Sequence, residues 1–294
     1  MATTAFAWPR VLVLGGTTFD HIVYLPGLPQ GQPATIHQCG FAEHTGSTGT
    51  GKALALQQLG VPVKLISATG TDDYGRQIRQ YLQRKELAVQ WLDDPAGTER
   101  HINLMDAQGK RLSIFATTSS ETLPGAEEWL PTELASHDLI VLNIIAYCRP
   151  WAARVAASGK PVWTDLHDYD GESSYHQPFI DAAQYIHLSS DNLPDYRPLM
   201  ENLIGGGKQL AICTHAEKGA SLLCPRHGCI EVDAEQVPIT DTNGAGDSFF
   251  AGFLFGWMQQ LPHATCLQMG TRAAALCLQS GEIVSPALSP QLLL

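Results

Sequence analysis

Residues 241–247 read Asp241-Thr242-Asn243-Gly244-Ala245-Gly246-Asp247 and run directly into Ser248-Phe249-Phe250-Ala251-Gly252-Phe253-Leu254-Phe255-Gly256-Trp257. A turn of small residues therefore opens an apolar helix that carries a carboxylate in its first turn. The first backbone N–H groups of a helix lack intrahelical acceptors, and the aligned peptide dipoles add positive potential there, so the turn suits an anion. Its glycines let that anion approach the backbone closely. Asp247 then has two readings: a residue that complements the helix N-terminus, or a base placed to accept a proton from a hydroxyl beside the anion.

The rest of the chain puts this helix in an alternating architecture. Residues 11–15 (Val-Leu-Val-Leu-Gly) form a continuous apolar run of the kind buried on both faces of a parallel sheet. Comparable runs at Val63–Ala68, Leu139–Asn143, Val162–Asp165, Tyr185–Leu188 and Leu210–Thr214 are separated by segments long enough for helices. Expected helices are Gly51–Leu59, Tyr74–Arg84, Trp151–Ala157, Asn192–Ile204, Ala245–Gln260 and Ala264–Gln279. Two stretches, 21–43 and 98–117, instead carry short alternating strand patterns, and Asp106-Ala107-Gln108-Gly109 reads as a hairpin turn. No internal repeat or low-complexity linker divides the 294 residues.

Composition narrows the partners. A formal net charge of −11 with 18 Lys and Arg argues against a nucleic-acid backbone or an anionic membrane, both of which select basic surfaces. It leaves room for a nucleotide held by backbone amides and a magnesium ion. The seven cysteines are odd in number and several lie in apolar stretches, which fits reduced thiols of a cytoplasmic protein. Cys224-Pro-Arg-His-Gly-Cys229 offers three ligands at most and no second Cys/His pair, too few for a structural zinc. No run approaches the 18 apolar residues of a membrane span, and no secretory leader pattern opens the sequence.

Three further segments carry chemistry. Gly15-Gly16-Thr17-Thr18-Phe19-Asp20 follows the first strand but lacks the spacing of a dinucleotide fingerprint. Gly46-Ser47-Thr48-Gly49-Thr50-Gly51-Lys52-Ala53 nearly spells a phosphate-binding P-loop, yet Ala53 stands where a magnesium-binding hydroxyl is needed. Gly70-Thr71-Asp72-Asp73-Tyr74-Gly75 is a third small-residue turn with carboxylates.

Taken with residues 241–247, these segments resemble the ribokinase-like, or PfkB-type, carbohydrate kinases. The heptad resembles their Asp-Thr-x-Gly-Ala-Gly-Asp signature at every fixed position, and Gly70–Gly75 fits Gly-x-Asp-x-x-Gly. The resemblance implies an α/β fold, a three-layer α/β/α parallel sheet with a small β-sheet lid, as one kinase domain over 1–294 with the lid at about 21–43 and 98–117. It implies that Asp247 is the catalytic base and that the amides of Gly244, Ala245 and Gly246 form the anion hole. It also implies a sugar site at Asp20, Gly46, Ser47 and Gly51, with Arg100 reaching in from the lid. Here the match is loose: Ser47 replaces a glycine, and Gly51 stands where the family carries a sugar-binding Asn.

For the nucleotide, the resemblance points to Ser189 and Asn192, in place of Asn-x-x-Glu, and to Thr214 and Gly219 of the Thr-x-Gly-x-x-Gly loop, where Ala216 replaces the first glycine. Asp165-Leu166-His167 takes the place of Asp-Pro-Asn. Ketohexokinase-like members carry a similar nucleotide half, including Ala-Glu-x-Gly-Ala. ATP and magnesium, the metal held mainly through the phosphates, are the implied cofactors. Asp241 is either a capping residue or the anchor of a monovalent cation such as potassium. A homodimer through the lid, a nucleoside as acceptor and a non-catalytic sugar or nucleotide sensor complete the expectations.

Overall fold

The computed structural model describes residues 7–107 and 109–294, so Gln108 of the expected hairpin turn lies outside the described residues. The elements, in chain order, are β1 (Val11–Leu14), β2 (Thr18–Leu25), β3 (Gly40–Gly46), α1 (Thr48–Gln58), β4 (Val63–Thr69), α2 (Asp73–Arg84), β5 (Val89–Asp93), β6 (Arg100–Asp106) and β7 (Arg111–Thr117). They continue with α3 (Ala126–Ser136), β8 (Leu139–Asn143), α4 (Ala152–Ala157), β9 (Val162–Asp165), α5 (Gln177–Ala182), β10 (Tyr185–Ser189), α6 (Arg197–Gly205) and β11 (Leu210–Thr214). The last are β12 (Ala220–Cys224), β13 (Gly228–Val232), α7 (Ala245–Met258), α8 (His263–Leu278) and α9 (Pro290–Leu293).

Nine strands form one sheet in the order β13-β12-β11-β10-β9-β8-β1-β4-β5. All neighbours from β11 to β5 pair parallel, and β12 and β13 close one edge antiparallel. The continuous apolar runs follow from this placement, because alternate side chains of a central strand enter opposite layers. Val11 and Val13 pack into a core with α1, α2, α7 and α8, while Leu12 and Leu14 enter a second core with α3 to α6. The fold is therefore the expected α/β sandwich, with helices on both sides of the large sheet.

A second sheet, in the order β3-β2-β6-β7, draws its strands from two separated segments. Pairing of Asp20 with His44 and His101, and of Asn103 with Ser113, puts Asp20, His101, Asn103, Arg111 and Ser113 on one face. Phe19, His21, Arg100 and Ile114 take the other.

Several boundaries differ from the sequence reading. The helix expected from Asn192 begins at Arg197, after Pro194 and with Pro198 in its first turn, where a missing N–H costs nothing. α3, which holds Pro131, and β5, a short, partly exposed edge strand, lie outside the elements read from the sequence. β3, which ends at Gly46, belongs to the small sheet rather than the parallel one.

Candidate active site

The site lies at the carboxyl ends of the parallel strands, where an open α/β sheet presents its ligand crevice. Gly244 caps α7 in the left-handed region with φ of 81°, and a Cβ there would overlap the carbonyl oxygen of Ile283. Only glycine meets both demands. The amide of Gly246 has no protein acceptor among the described residues, and Ala245 N reaches Thr242 O only at 3.4 Å. The start of α7 thus keeps unsatisfied donors together with the end of its dipole.

Asp247 follows in the first turn and is 8% exposed. Its Oδ1 accepts from Lys52 Nζ at 2.5 Å, and the same ammonium lies 2.9 Å from Asp165 Oδ2 at the end of β9. Lys52 has no solvent exposure. Burial alone would lower its pKa, but the Asp165 and Asp247 carboxylates outweigh that and hold it above the usual lysine value. Asp165 is also buried, which would raise its pKa; His167, His187 and Lys52 pull it well below the usual carboxylate range. Nothing in the sequence reading assigned Lys52 a role, because the P-loop likeness of Gly46–Ala53 fails at Ala53 and its partners lie far along the chain. The nearer clue is a single charge inside the otherwise uncharged α1.

Asp20 lies on β2 of the small sheet, 3% exposed. Thr18 Oγ1 donates to its Oδ1 at 2.7 Å, Asn103 Nδ2 to its Oδ2 at 3.4 Å, and His101 Nδ1 lies 3.7 Å from Oδ1. Burial raises its pKa, opposed by the Thr18 hydrogen bond and by His101 and Arg111. A Cβ on Gly46 would overlap this carboxylate, so the residue that ends β3 is glycine because Asp20 rests on it. Ser47, next in sequence, has φ of 77° and ψ of 149°, a conformation nearly reserved for glycine. The glycine expected at that position has a backbone reason, and Ser47 carries the strain.

The structure moves the lid arginine. Arg100 lies on the face opposite Asp20, its guanidinium 4.9 Å from the centre of the Tyr74 ring, and so is not placed as a substrate ligand. Arg111 takes the inner face instead and donates to Asn243 Oδ1 at 3.4 Å. Asp241 is tied twice: Asn243 N donates to Oδ1 at 2.7 Å and the Tyr24 hydroxyl to Oδ2 at 3.0 Å. Burial and Asp241 push the Tyr24 phenol up to about 12. Thr242 Oγ1 donates to Gly109 O at 3.3 Å, so the small sheet touches the segment before the α7 turn at three places.

The residues expected around a nucleotide gather at the ends of β10 and β11. Ser189 pairs with Thr214 across the two strands, and Thr214 Oγ1 donates to Leu188 O at 3.4 Å. Asn192 is exposed, and its amide donates to Asp168 O and Oδ2. Gly219 has φ of 94°, and a Cβ there would overlap Val232 O, so packing against β13 already explains that glycine. His215 packs against Tyr196 with ring centres 4.1 Å apart and the planes tilted by 32°, and it bridges Ser190 and Ser221.

A helix start with an unsatisfied amide and a carboxylate in its first turn, in a fold that also buries a carboxylate on a separate small sheet, is the arrangement of a phosphotransferase. The chain belongs to the pfkB family of carbohydrate kinases, whose pattern it matches over residues 9–144 and 168–289. These enzymes transfer phosphate to a hydroxyl, which makes ATP the implied donor. The chain is similar to the acarbose 7(IV)-phosphotransferase of Actinoplanes sp., 32% identical over 276 residues and 90% of each chain. It is also similar to the ribokinase of Lactococcus lactis, 24% identical over 92% of this chain and 91% of the other. Among solved structures, a microbiome-derived acarbose kinase superposes with a TM-score of 0.84 at 24% identity, covering 98% of both chains. A Burkholderia thailandensis nucleoside kinase in complex with inosine superposes at 0.78 with 18% identity, covering 95% of each.

Proposed function

We propose that this chain is one kinase domain that transfers the γ-phosphoryl group of ATP to a hydroxyl of a carbohydrate, with Asp247 as the base. The observation that carries this reading is the free Oδ2 of Asp247, which has no protein hydrogen-bond partner among the described residues and sits one residue from the unsatisfied amide of Gly246. The acceptor hydroxyl gives its proton to Asp247 as its oxygen bonds to phosphorus, and the amides of 244–246 stabilise the charge on the moving group. Asp20, held by Thr18 and Asn103, accepts from other sugar hydroxyls. The small sheet acts as the lid and excludes water that would compete as acceptor.

In this reading magnesium would be held mainly by the nucleotide phosphates. Magnesium supplies neutralisation of phosphate charge. Ser189, Asn192 and Thr214 border the nucleotide, largely through backbone. We read Asp241 as a capping residue, since both its oxygens are already engaged; activity equal in potassium and choline chloride supports this, and a potassium requirement would replace it with the cation reading. Exposed Phe41, Leu112 and Ile114 on the outer face of the small sheet support a homodimer there. ATP use and seven free cysteines support a cytoplasmic setting, and no described helix is long and apolar enough to cross a membrane.

The acceptor class is read from a panel of acarbose, maltose, fructose, ribose, fructoselysine and inosine with magnesium-ATP, scored by mass spectrometry for a phosphorylated product. A phosphorylated sugar or sugar derivative supports the proposal. Product from inosine alone would make the chain a nucleoside kinase, and ligand-induced stabilisation with no product would favour a sensor.

A further inference from the structure

Lys52 is the only charged residue of α1 and is fully buried. An ammonium without solvent exposure touches neither sugar nor nucleotide, so any role it has runs through its partners. Those are Asp247 Oδ1 at 2.5 Å and Asp165 Oδ2 at 2.9 Å, with the centre of the Phe250 ring 5.1 Å away. Pinning Oδ1 leaves Oδ2 of Asp247 lying against Gly51. A Cβ at position 51 would stand 2.9 Å from both Cβ and Cγ of Asp247, so a side chain there and this placement of the carboxylate exclude each other. Gly51, which in the sequence looks like the loss of a sugar-binding amide, is the space that Asp247 occupies.

We propose that Lys52 is a positioning residue for phosphoryl transfer: it holds Asp247 through Oδ1 so that Oδ2 faces the acceptor hydroxyl, while Asp165 anchors the ammonium and Gly51 supplies the room. This rests on Asp247 being the base. In the transfer, Oδ2 takes the hydroxyl proton as the new oxygen–phosphorus bond forms and the bond to the leaving ADP oxygen breaks. Lys52 keeps its proton throughout. Without the ammonium, nothing would pin Oδ1, and the Asp247 carboxylate would be free to turn away from the acceptor hydroxyl.

The test uses the full chain with magnesium-ATP and whichever panel compound is phosphorylated fastest, and it reads kcat and both KM values for Lys52→Met, Lys52→Arg and Gly51→Ala. Lys52→Met should lower kcat about 100-fold, the order of loss that a misplaced reacting group causes, with both KM values within about threefold. Lys52→Arg should recover about tenfold of that loss, and Gly51→Ala should lower kcat about tenfold by displacing the carboxylate. A kcat for Lys52→Met within about threefold of wild type, or a loss carried by KM alone, would overturn the inference. Should Lys52→Met fail to fold, Gly51→Ala decides: wild-type kcat there overturns it. A wild type that phosphorylates nothing overturns the functional reading and this inference with it, whereas an active wild type with an indifferent Lys52 overturns this inference alone.

Discussion

Asp20 on the small sheet and Asp165 at the carboxyl end of a central strand of the large one are each 3% exposed, yet they are held in opposite ways. Asp165 has a buried ammonium and two histidines around it, and its pKa is driven well below the ordinary value. Asp20 has a hydroxyl, an amide and more distant positive groups, and burial raises its pKa. A buried carboxylate whose partners are mostly neutral is a group held ready for a ligand's hydroxyls, while one matched to a buried cation is part of the scaffold. Under the proposed function, the comparison separates the residue that would meet substrate from the residue that would support the base.

The largest effect that tests it is on folding. Removing the Asp165 charge leaves Lys52 with one partner, so Asp165→Asn should cost about 3–5 kcal/mol in urea unfolding at neutral pH. A folded pKa below the unfolded one gives stability that is present above the unfolded value and lost as pH falls through the folded one, so the gap to wild type should narrow below about pH 4. A cost that stays constant to low pH would break the contrast.

Asp20 carries the opposite sign. Its raised pKa means that ionisation opposes folding, so stability linked to it is greatest in acid and falls as pH rises through the folded value. Asp20→Asn should therefore raise the melting temperature at pH 7, an advantage that fades in acid, while the KM for the acceptor rises about tenfold and that for ATP stays put. Loss of stability together with unchanged KM would assign Asp20 to the scaffold.

Smaller effects sharpen the same division. Ser47→Gly should relieve its near-forbidden backbone and stabilise the chain by about 1 kcal/mol in the same urea measurement. Asn192 is exposed and its amide donates to Asp168, so Asn192→Ala should change kcat/KM for ATP by less than about threefold, near the scale of one exposed hydrogen bond.

What the sequence made legible follows from locality. The start of α7, the buried runs of β1, β4, β8, β9, β10 and β11, and the two strand-like excursions of the small sheet are written in contiguous residues, and each is found near its expected bounds. Asp20, Gly46 and Gly51 were legible as positions, but the reasons for the two glycines were not, because each makes room for a carboxylate from another part of the fold. Lys52 and Asp247 are 195 residues apart, and no periodicity joins them. Arg100 and Arg111 differ by a face of one sheet, which strand pairing decides and a lone basic residue in a strand pattern does not.

The central claim, that Asp247 is the base, is tested most directly by magnesium-ATP-dependent ADP release in wild type and Asp247→Asn with the same acceptor. The account predicts a fall in kcat of about 100-fold or more with the KM for ATP nearly unchanged. Turnover near that of wild type in Asp247→Asn would contradict it.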